Sequence, residues 1–502
     1  MSRARQTFAG AAWNHIARTL EYGSAFFSSV LIARGLGVDG NGVFAGMLSL
    51  SQLLSVATSF GLETSLNKHI PQLDPSRSKQ QVRYVLRRLI AFRVGIFVLI
   101  TILLLLVTSL VRMDFLASIR EYVLLLCVFT GCRSIVPLIS MALVARLATD
   151  VNAKVTLGIR LIEVAAIGVL LSTDAMTIPN LIALLIGTSI MHITAFIAMA
   201  RSYLIGTEIR FPLMPVLTFG GMFWINTVSE FFLGKHGDIL FLSHLAGTKQ
   251  SSLYDIAFSA AQLAALGATV GLTGVSLAAF SSLAVDGPVK LNRFYDFMIR
   301  ILSFLTVPLY AFLLFNGRSA LHLIYSDRFD AAFPLLQVIV GFRIFSRLFG
   351  GPENAEFLLS KNHVAPLVGV GLIGTLLNAG LNIVLIPRLG AMGATIASGI
   401  GNLSANILAA RLVYRFTGGS PQLMFWLKLC LISCVSSVLC HALVPATTLW
   451  ALTGQAGLYV LCVMTALAVA KPMTDADTLW LAQVSGRFGR LLRPFTRAVP
   501  SF

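Results

Sequence analysis

Residues 91–111 read AFRVGIFVLITILLLLVTSLV, twenty-one residues with a single charge, Arg93. A membrane-spanning helix needs about 20 predominantly apolar residues, so this run is one crossing. Similar runs recur along the 502-residue chain, at about 8–33, 41–65, 122–145, 155–172, 180–200, 212–242, 252–283, 301–317, 331–356, 366–386, 393–410, 423–442 and 447–470. With the first, they make fourteen expected helices. The run at 212–242 is too long for one straight crossing, as is 252–283, so tilt, kinks or protrusion into water are expected there.

Composition agrees. The chain is 56% hydrophobic and 12% charged, with a mean hydropathy of +0.83. Soluble domains carry about 25% charged residues, so this chain needs lipid as a solvent. No hydrophilic stretch is long enough for an independent soluble domain. The longest lie near 66–90 and 471–502, and both are basic. The net charge of +17 does not point to nucleic acid, because Lys and Arg fall mostly between the apolar runs. That placement fits loops facing an anionic leaflet.

Orientation follows from where the cations fall. Counted from a cytoplasmic N-terminus, the even-numbered connections and both tails are rich in Lys and Arg. They are led by Lys68, Arg77, Lys79, Arg83, Arg87 and Arg88, and by Arg487, Arg490, Arg493 and Arg497. The odd-numbered connections are poor in them, and 173–179 has none. The positive-inside rule therefore places both termini in the cytoplasm, and no cleavable signal peptide is expected, since the first apolar run carries Arg18 and Glu21.

A weak internal repeat appears at an offset of 210 residues. Leu36-Gly37 through Phe44, Ser51-Gln52-Leu53 and Gly61-Leu62 pair with Ala246-Gly247 through Tyr254, Ala261-Gln262-Leu263 and Gly271-Leu272. Six expected helices precede the repeat point, so the two halves run in the same direction, a common transporter plan. The expected domains are residues 1–205 and 206–418 as six-helix lobes, 419–472 as two further crossings, and 473–502 as a basic cytoplasmic tail.

Several of these stretches resemble the Wzx-type polysaccharide-transporter family of the multidrug/oligosaccharidyl-lipid/polysaccharide exporter superfamily. Ala12-Trp13-Asn14, Leu31-Ile32-Ala33-Arg34-Gly35-Leu36-Gly37 and Gly42-Val43-Phe44 look like the family's first two helices. Asp238-Ile239-Leu240-Phe241-Leu242 to Gly247 is similar to its seventh-helix exit. Leu381-Asn382-Ile383-Val384-Leu385-Ile386-Pro387-Arg388-Leu389-Gly390 and Gly393-Ala394-Thr395 look like its eleventh-to-twelfth junction. The resemblance implies an all-α polytopic membrane protein with two parallel six-helix lobes, a V-shaped central cavity and two extra C-terminal helices. It implies a flippase that carries an undecaprenyl-diphosphate-linked oligosaccharide from the cytoplasmic to the periplasmic leaflet of a bacterial inner membrane, for O-antigen, capsule or exopolysaccharide synthesis. Its implied partners are the lipid bilayer, that glycan, and the polymerase and chain-length proteins of the same pathway.

Ionisable residues inside apolar helices carry the functional reading. An Arg, Lys or Asp at the bilayer centre costs roughly 2.5–3.5 kcal/mol on insertion scales, and such residues face a wet cavity or a partner. The first helix aligns Asn14, Arg18, Glu21, Ser24 and Ser28 on one stripe. Arg133 lies in the fourth helix, Arg160 and Glu163 in the fifth, Asn226 and Glu230 in the seventh, and Arg343 with Arg347 in the tenth. Arg suits a diphosphate because its planar fork meets phosphate oxygens bidentately. The expected cavity set is Arg18, Arg133, Arg343, Arg347, Asn14 and Asn226, with Glu63, Glu230 and Asp255 as ion-coupling candidates.

Local readings compete. Arg18 with Glu21 and Arg160 with Glu163 also fit i,i+3 ion pairs, Lys235 fits a side chain snorkelling to periplasmic water, and His192 fits a packing residue. The six cysteines (Cys127, Cys132, Cys430, Cys434, Cys440, Cys462) match no zinc or redox spacing, and no metal or cofactor is expected. Neither G-x-x-x-x-G-K-[ST] nor H-E-x-x-H occurs, and the 21 acids are scattered, which weighs against an ATPase or a membrane-bound transferase. The competing transporters are a lipid II flippase and a multidrug or cation antiporter of the same superfamily. A membrane scaffold without transport is a third reading, and it would leave the intramembrane arginines without a purpose.

Overall fold

The computed structural model describes residues 3–70, 78–110, 120–145, 149–474, 477 and 493–497. Among them are sixteen helices of eight residues or more. In chain order these are α1 (Arg3–Ser59), α2 (Leu62–His69), α3 (Ser78–Leu110), α4 (Val123–Ala145), α5 (Thr149–Ser172), α6 (Ile178–Met199), α7 (Met214–Leu233) and α8 (Lys235–Leu245). They continue as α9 (Thr248–Asp286), α10 (Pro288–Tyr325), α11 (Phe333–Ser346), α12 (Pro352–Ser360), α13 (Val364–Leu389), α14 (Ala391–Thr417), α15 (Leu423–Leu443) and α16 (Leu449–Ala470). The chain is an all-α polytopic membrane fold.

Twelve described stretches are long and apolar enough to cross a membrane. One of them, Leu20–Ser59, holds two of the fourteen expected crossings, divided at Gly37, where φ is 67°. The expected helix at 252–283 falls in α9, several of whose side chains lie outside the described residues. These two cases account for the difference between twelve and fourteen. Gly37 and Gly247 stand at equivalent positions of the 210-residue repeat, and both take the left-handed backbone, at φ 67° and φ 86°. A side chain is strained there.

The expected irregularity at 212–242 is a break. α7 ends at Leu233, Gly234 is extended, and α8 starts at Lys235. Gly237 lets the broken ends pack, since a Cβ there would lie 2.8 Å from the Phe232 Cα.

By packing, the chain divides into two compact units. Unit 1 comprises Met1–Asp255 and Leu381–Ala394; unit 2 comprises Ile256–Gly380 and Thr395–Phe502. These are packing groups, and the expected lobes 1–205 and 206–418 describe the repeat instead. Unit 1 is built on α1, which lies along α5 and α8, while α4 packs on α6. Its core includes Phe44, Met47, Leu126, Phe129, Ile167 and Leu181. In unit 1 the turns of the two repeats also meet. Asn41 donates to Ser252 Oγ at 3.0 Å, and a Cβ on Gly42 would collide with the Thr248 carbonyl.

Unit 2 is built on α10, which packs on α11 and α15, with α16 alongside. The last two crossings are fastened to it by polar contacts. Asn316 donates to Ser437 Oγ at 3.0 Å, and the Tyr459 hydroxyl donates to the Pro308 carbonyl at 2.7 Å. Helix α15 turns Leu429, Ser433 and Ser437 inward, while Met424 and Leu431 are each 68% exposed. A soluble helix hides its apolar residues; this one presents them outward and packs small polar ones inside, as lipid allows.

The expected tail is tied down in part. Met473–Thr474 pairs in parallel with Thr496–Arg497, and Phe495 packs on Phe304 with ring centroids 5.4 Å apart. Asp477 is buried against Arg300 at 2.9 Å and accepts from the Thr474 amide at 2.8 Å. Arg487 and Arg490 lie outside the described residues.

Candidate anion site

Five helices of unit 1 bring the relevant charges together. Helix α4 supplies Arg133, α5 supplies Arg160 and Glu163, α6 supplies His192, and α8 supplies Lys235 and His236; Asp255 follows in α9. Arg160 Nη1 meets Glu163 Oε1 at 2.7 Å, the local pair that the i,i+3 spacing allows. Thr188 donates to the other carboxylate oxygen at 3.4 Å. Lys235 meets Asp255 at 2.7 Å, so the expected snorkelling of Lys235 is replaced by an ion pair. Its neighbour His236 shares a 3.0 Å hydrogen bond with Ser49.

Arg133 differs from these. Its guanidinium lies over the Phe129 ring, 5.3 Å from the centroid, and no carboxylate is within ion-pair distance among the described residues. Arg160 and Glu163 are the charged groups that act on it electrostatically, and it in turn acts on His192 and His236. The residue keeps exposed surface, while its guanidinium lies deep among the helices of unit 1. Glu163 pairs with Arg160 alone, which leaves the Arg133 guanidinium fork available to an anion. His192 is held by packing, with its ring 4.7 Å from Phe196 and Nε2 3.4 Å from Thr156 Oγ1.

In unit 2, Arg343 is the corresponding unneutralised cation. Its guanidinium lies 4.9 Å from the Phe258 centroid and 5.9 Å from that of Tyr310, again with no carboxylate partner among the described residues. Aromatic faces stabilise a cation without neutralising it. Arg347, one turn on, is a correction to the expected cavity set. It is buried, and Nη2 meets Glu353 Oε1 at 2.9 Å while Nη1 reaches Oε2 at 3.4 Å. Ser303 Oγ and the Ile299 carbonyl take further bonds from it. This guanidinium has no fork left for a ligand.

The other expected residues are scattered. Glu63 pairs with Arg93, whose side chain is 3% exposed. Asn226 donates to Glu230 at 2.8 Å on the open side of α7. The side chains of Asn14 and Arg18 are not among those described. A buried cluster was not anticipated. Asp238, with no exposed surface, accepts from Asn382 at 2.8 Å and from the Tyr254 hydroxyl at 2.5 Å. Asp238 and Asn382 belong to two of the stretches that carry the family resemblance, and the fold joins those stretches at these side chains. Among the described residues no group of His, Cys, Asp and Glu could hold a metal ion.

Comparison with known proteins places this geometry. The family model described as "Polysaccharide biosynthesis protein" matches residues 31–334. No curated protein matches the chain in sequence. Among solved structures, the chain is similar in fold to lipid II flippase MurJ in an inward closed conformation. The TM-score is 0.70 at 14% identity, covering 91% of this chain and 98% of that one. It is also similar to an inward-facing multidrug resistance MATE family transporter of the MOP superfamily, with TM-score 0.60, 15% identity, and coverage of 80% and 95%. A MOP superfamily transporter from Pyrococcus furiosus, whose binding pocket is described as of reversed polarity, gives 0.55, 14%, and 82% and 95%.

Proposed function

The chain belongs to the polysaccharide biosynthesis protein family, and from that membership we infer that it is a flippase for an undecaprenyl-diphosphate-linked oligosaccharide. It carries the repeat unit from the cytoplasmic to the periplasmic leaflet of a bacterial inner membrane, by alternating access, for O-antigen, capsule or exopolysaccharide synthesis. Arg133 is the observation that carries the reading. A guanidinium with no carboxylate partner among the described residues, in a helix otherwise built for lipid, is costly unless something anionic uses it. Arg343 supports it from unit 2. Both are unsuited to a cationic drug, which requires acidic surroundings.

The protein works as a transporter and not as an enzyme. Its charged groups are those that lower the barrier to moving a dianion through lipid depth, while the sugars hydrogen-bond to amides such as Asn226. Asp255 and Glu63 are tied to cations, so Glu230 is the ion-coupling candidate left most open to water. The expected lobes, 1–205 and 206–418, are the bodies that rock, and polymerase and chain-length proteins are the downstream partners.

The direct test uses purified protein in lipid vesicles. It should move a labelled undecaprenyl-diphosphate-linked saccharide between leaflets, where vesicles without protein do not. Orientation is tested separately with reporter fusions. A fusion after residue 80 should be active on the cytoplasmic side, and fusions after 176 and 450 on the periplasmic side. The reverse at any of the three would break the assignment of both termini to the cytoplasm.

A further inference from the structure

The Arg160–Glu163 pair stands beside the open guanidinium of Arg133 and has a use of its own. Glu163 places one oxygen on the Arg160 fork and turns the other to Thr188. A phosphate oxygen would occupy the same position on Arg160 as that carboxylate oxygen. Resting on the flippase reading, we propose that Glu163 is a resident counter-ion. It occupies Arg160 in the empty protein and competes there with the ligand's phosphate-anhydride anion, so it sets how readily the ligand leaves.

The charges support this. Two guanidinium groups and one carboxylate leave a net charge of +1, enough to attract a diphosphate and too little to hold one. Without Glu163 the two cations would match the two charges of a diphosphate diester, and the ligand would be trapped. A translocation site must bind well enough to load and weakly enough to unload. The carboxylate is tethered one turn away on the same helix, so it returns to Arg160 as the phosphate departs, and the departing step does not leave Arg160 unpaired in a site of low dielectric. Arg133, with no such partner, is the group that makes first contact.

The experiment uses full-length protein in neutral-lipid nanodiscs and two probes, inorganic pyrophosphate and polyprenyl diphosphate. Glu163→Gln preserves size, keeps an amide oxygen as the acceptor for Thr188, and removes the charge and the acceptor facing Arg160. It is expected to bind at least one probe tenfold or more tightly than wild type, and to translocate more slowly in vesicles because release becomes limiting. Tightening for polyprenyl diphosphate alone assigns the site to a lipid headgroup, and tightening for both assigns it to the anhydride itself. Glu163→Asp, which keeps the charge, should stay near wild-type affinity. Unchanged or weaker binding by Glu163→Gln overturns the counter-ion role. If wild type binds while Arg133→Ala does not, the flippase reading survives that failure; if wild type binds neither probe, both fall.

Discussion

Arg133→Ala should abolish polymer export while leaving folded protein in the membrane at normal levels. The guanidinium touches an aromatic ring and no carboxylate among the described residues, so its loss strands no partner charge. On the flippase reading, what it removes is a charge-assisted contact to the ligand. Hydrogen bonds to charged groups are worth about 1.5–3 kcal/mol, and about 1.4 kcal/mol is tenfold in affinity. A roughly ten- to hundredfold loss of diphosphate affinity follows. Arg133→Lys should recover only part, because a point charge lacks the bidentate fork. The measurement is export of polymer alongside the amount of membrane-inserted protein, with lipid-linked repeat units expected to build up in the cytoplasmic leaflet. Full export by Arg133→Ala would remove this residue from the path. Arg343→Ala in unit 2 should give the same kind of loss.

Glu353→Ala should instead unfold unit 2. Glu353 has no exposed surface, and its carboxylate makes a two-pronged contact with the buried Arg347. Removing one partner of such a pair leaves an uncompensated charge, at a cost of about 3–5 kcal/mol. The thermal midpoint of the detergent-solubilised protein should fall sharply, and the double variant Arg347→Met/Glu353→Leu should recover much of the loss. An unchanged midpoint for Glu353→Ala would mean that the pair holds nothing together. The contrast with Arg133→Ala is informative, since one arginine should fail in transport and the other in folding.

The crossings were legible because lipid forces a simple pattern, about twenty apolar residues at a time. The break near Gly234 was foreseeable from length alone, since 212–242 is too long for a straight span. Charge pairing was not. Arg347 reaches Glu353 because a 3-10 turn and Gly350, at φ 88°, fold the chain back between α11 and α12. That pairing at i,i+6 lies outside the i,i+3 and i,i+4 rule by which helix neighbours are found. Glu63 and Arg93 are 30 residues apart, and Asp238 and Asn382 are 144 apart. Such partners are set by how helices pack, and helix packing leaves little trace in the local pattern. Arg160 with Glu163 obeyed the rule and was legible. The aromatic seats of Arg133 and Arg343 split the same way: Phe129 is four residues before Arg133, whereas Phe258 and Tyr310 come from other helices.

The central claim is that the protein moves a lipid because that lipid carries a diphosphate. Vesicles holding the purified protein can be offered two labelled lipids with the same saccharide and polyprenyl chain, one joined by a diphosphate and the other by a neutral link. Rapid exposure on the opposite leaflet of the diphosphate lipid alone is the predicted result. Equal movement of both, or movement of neither, would contradict it.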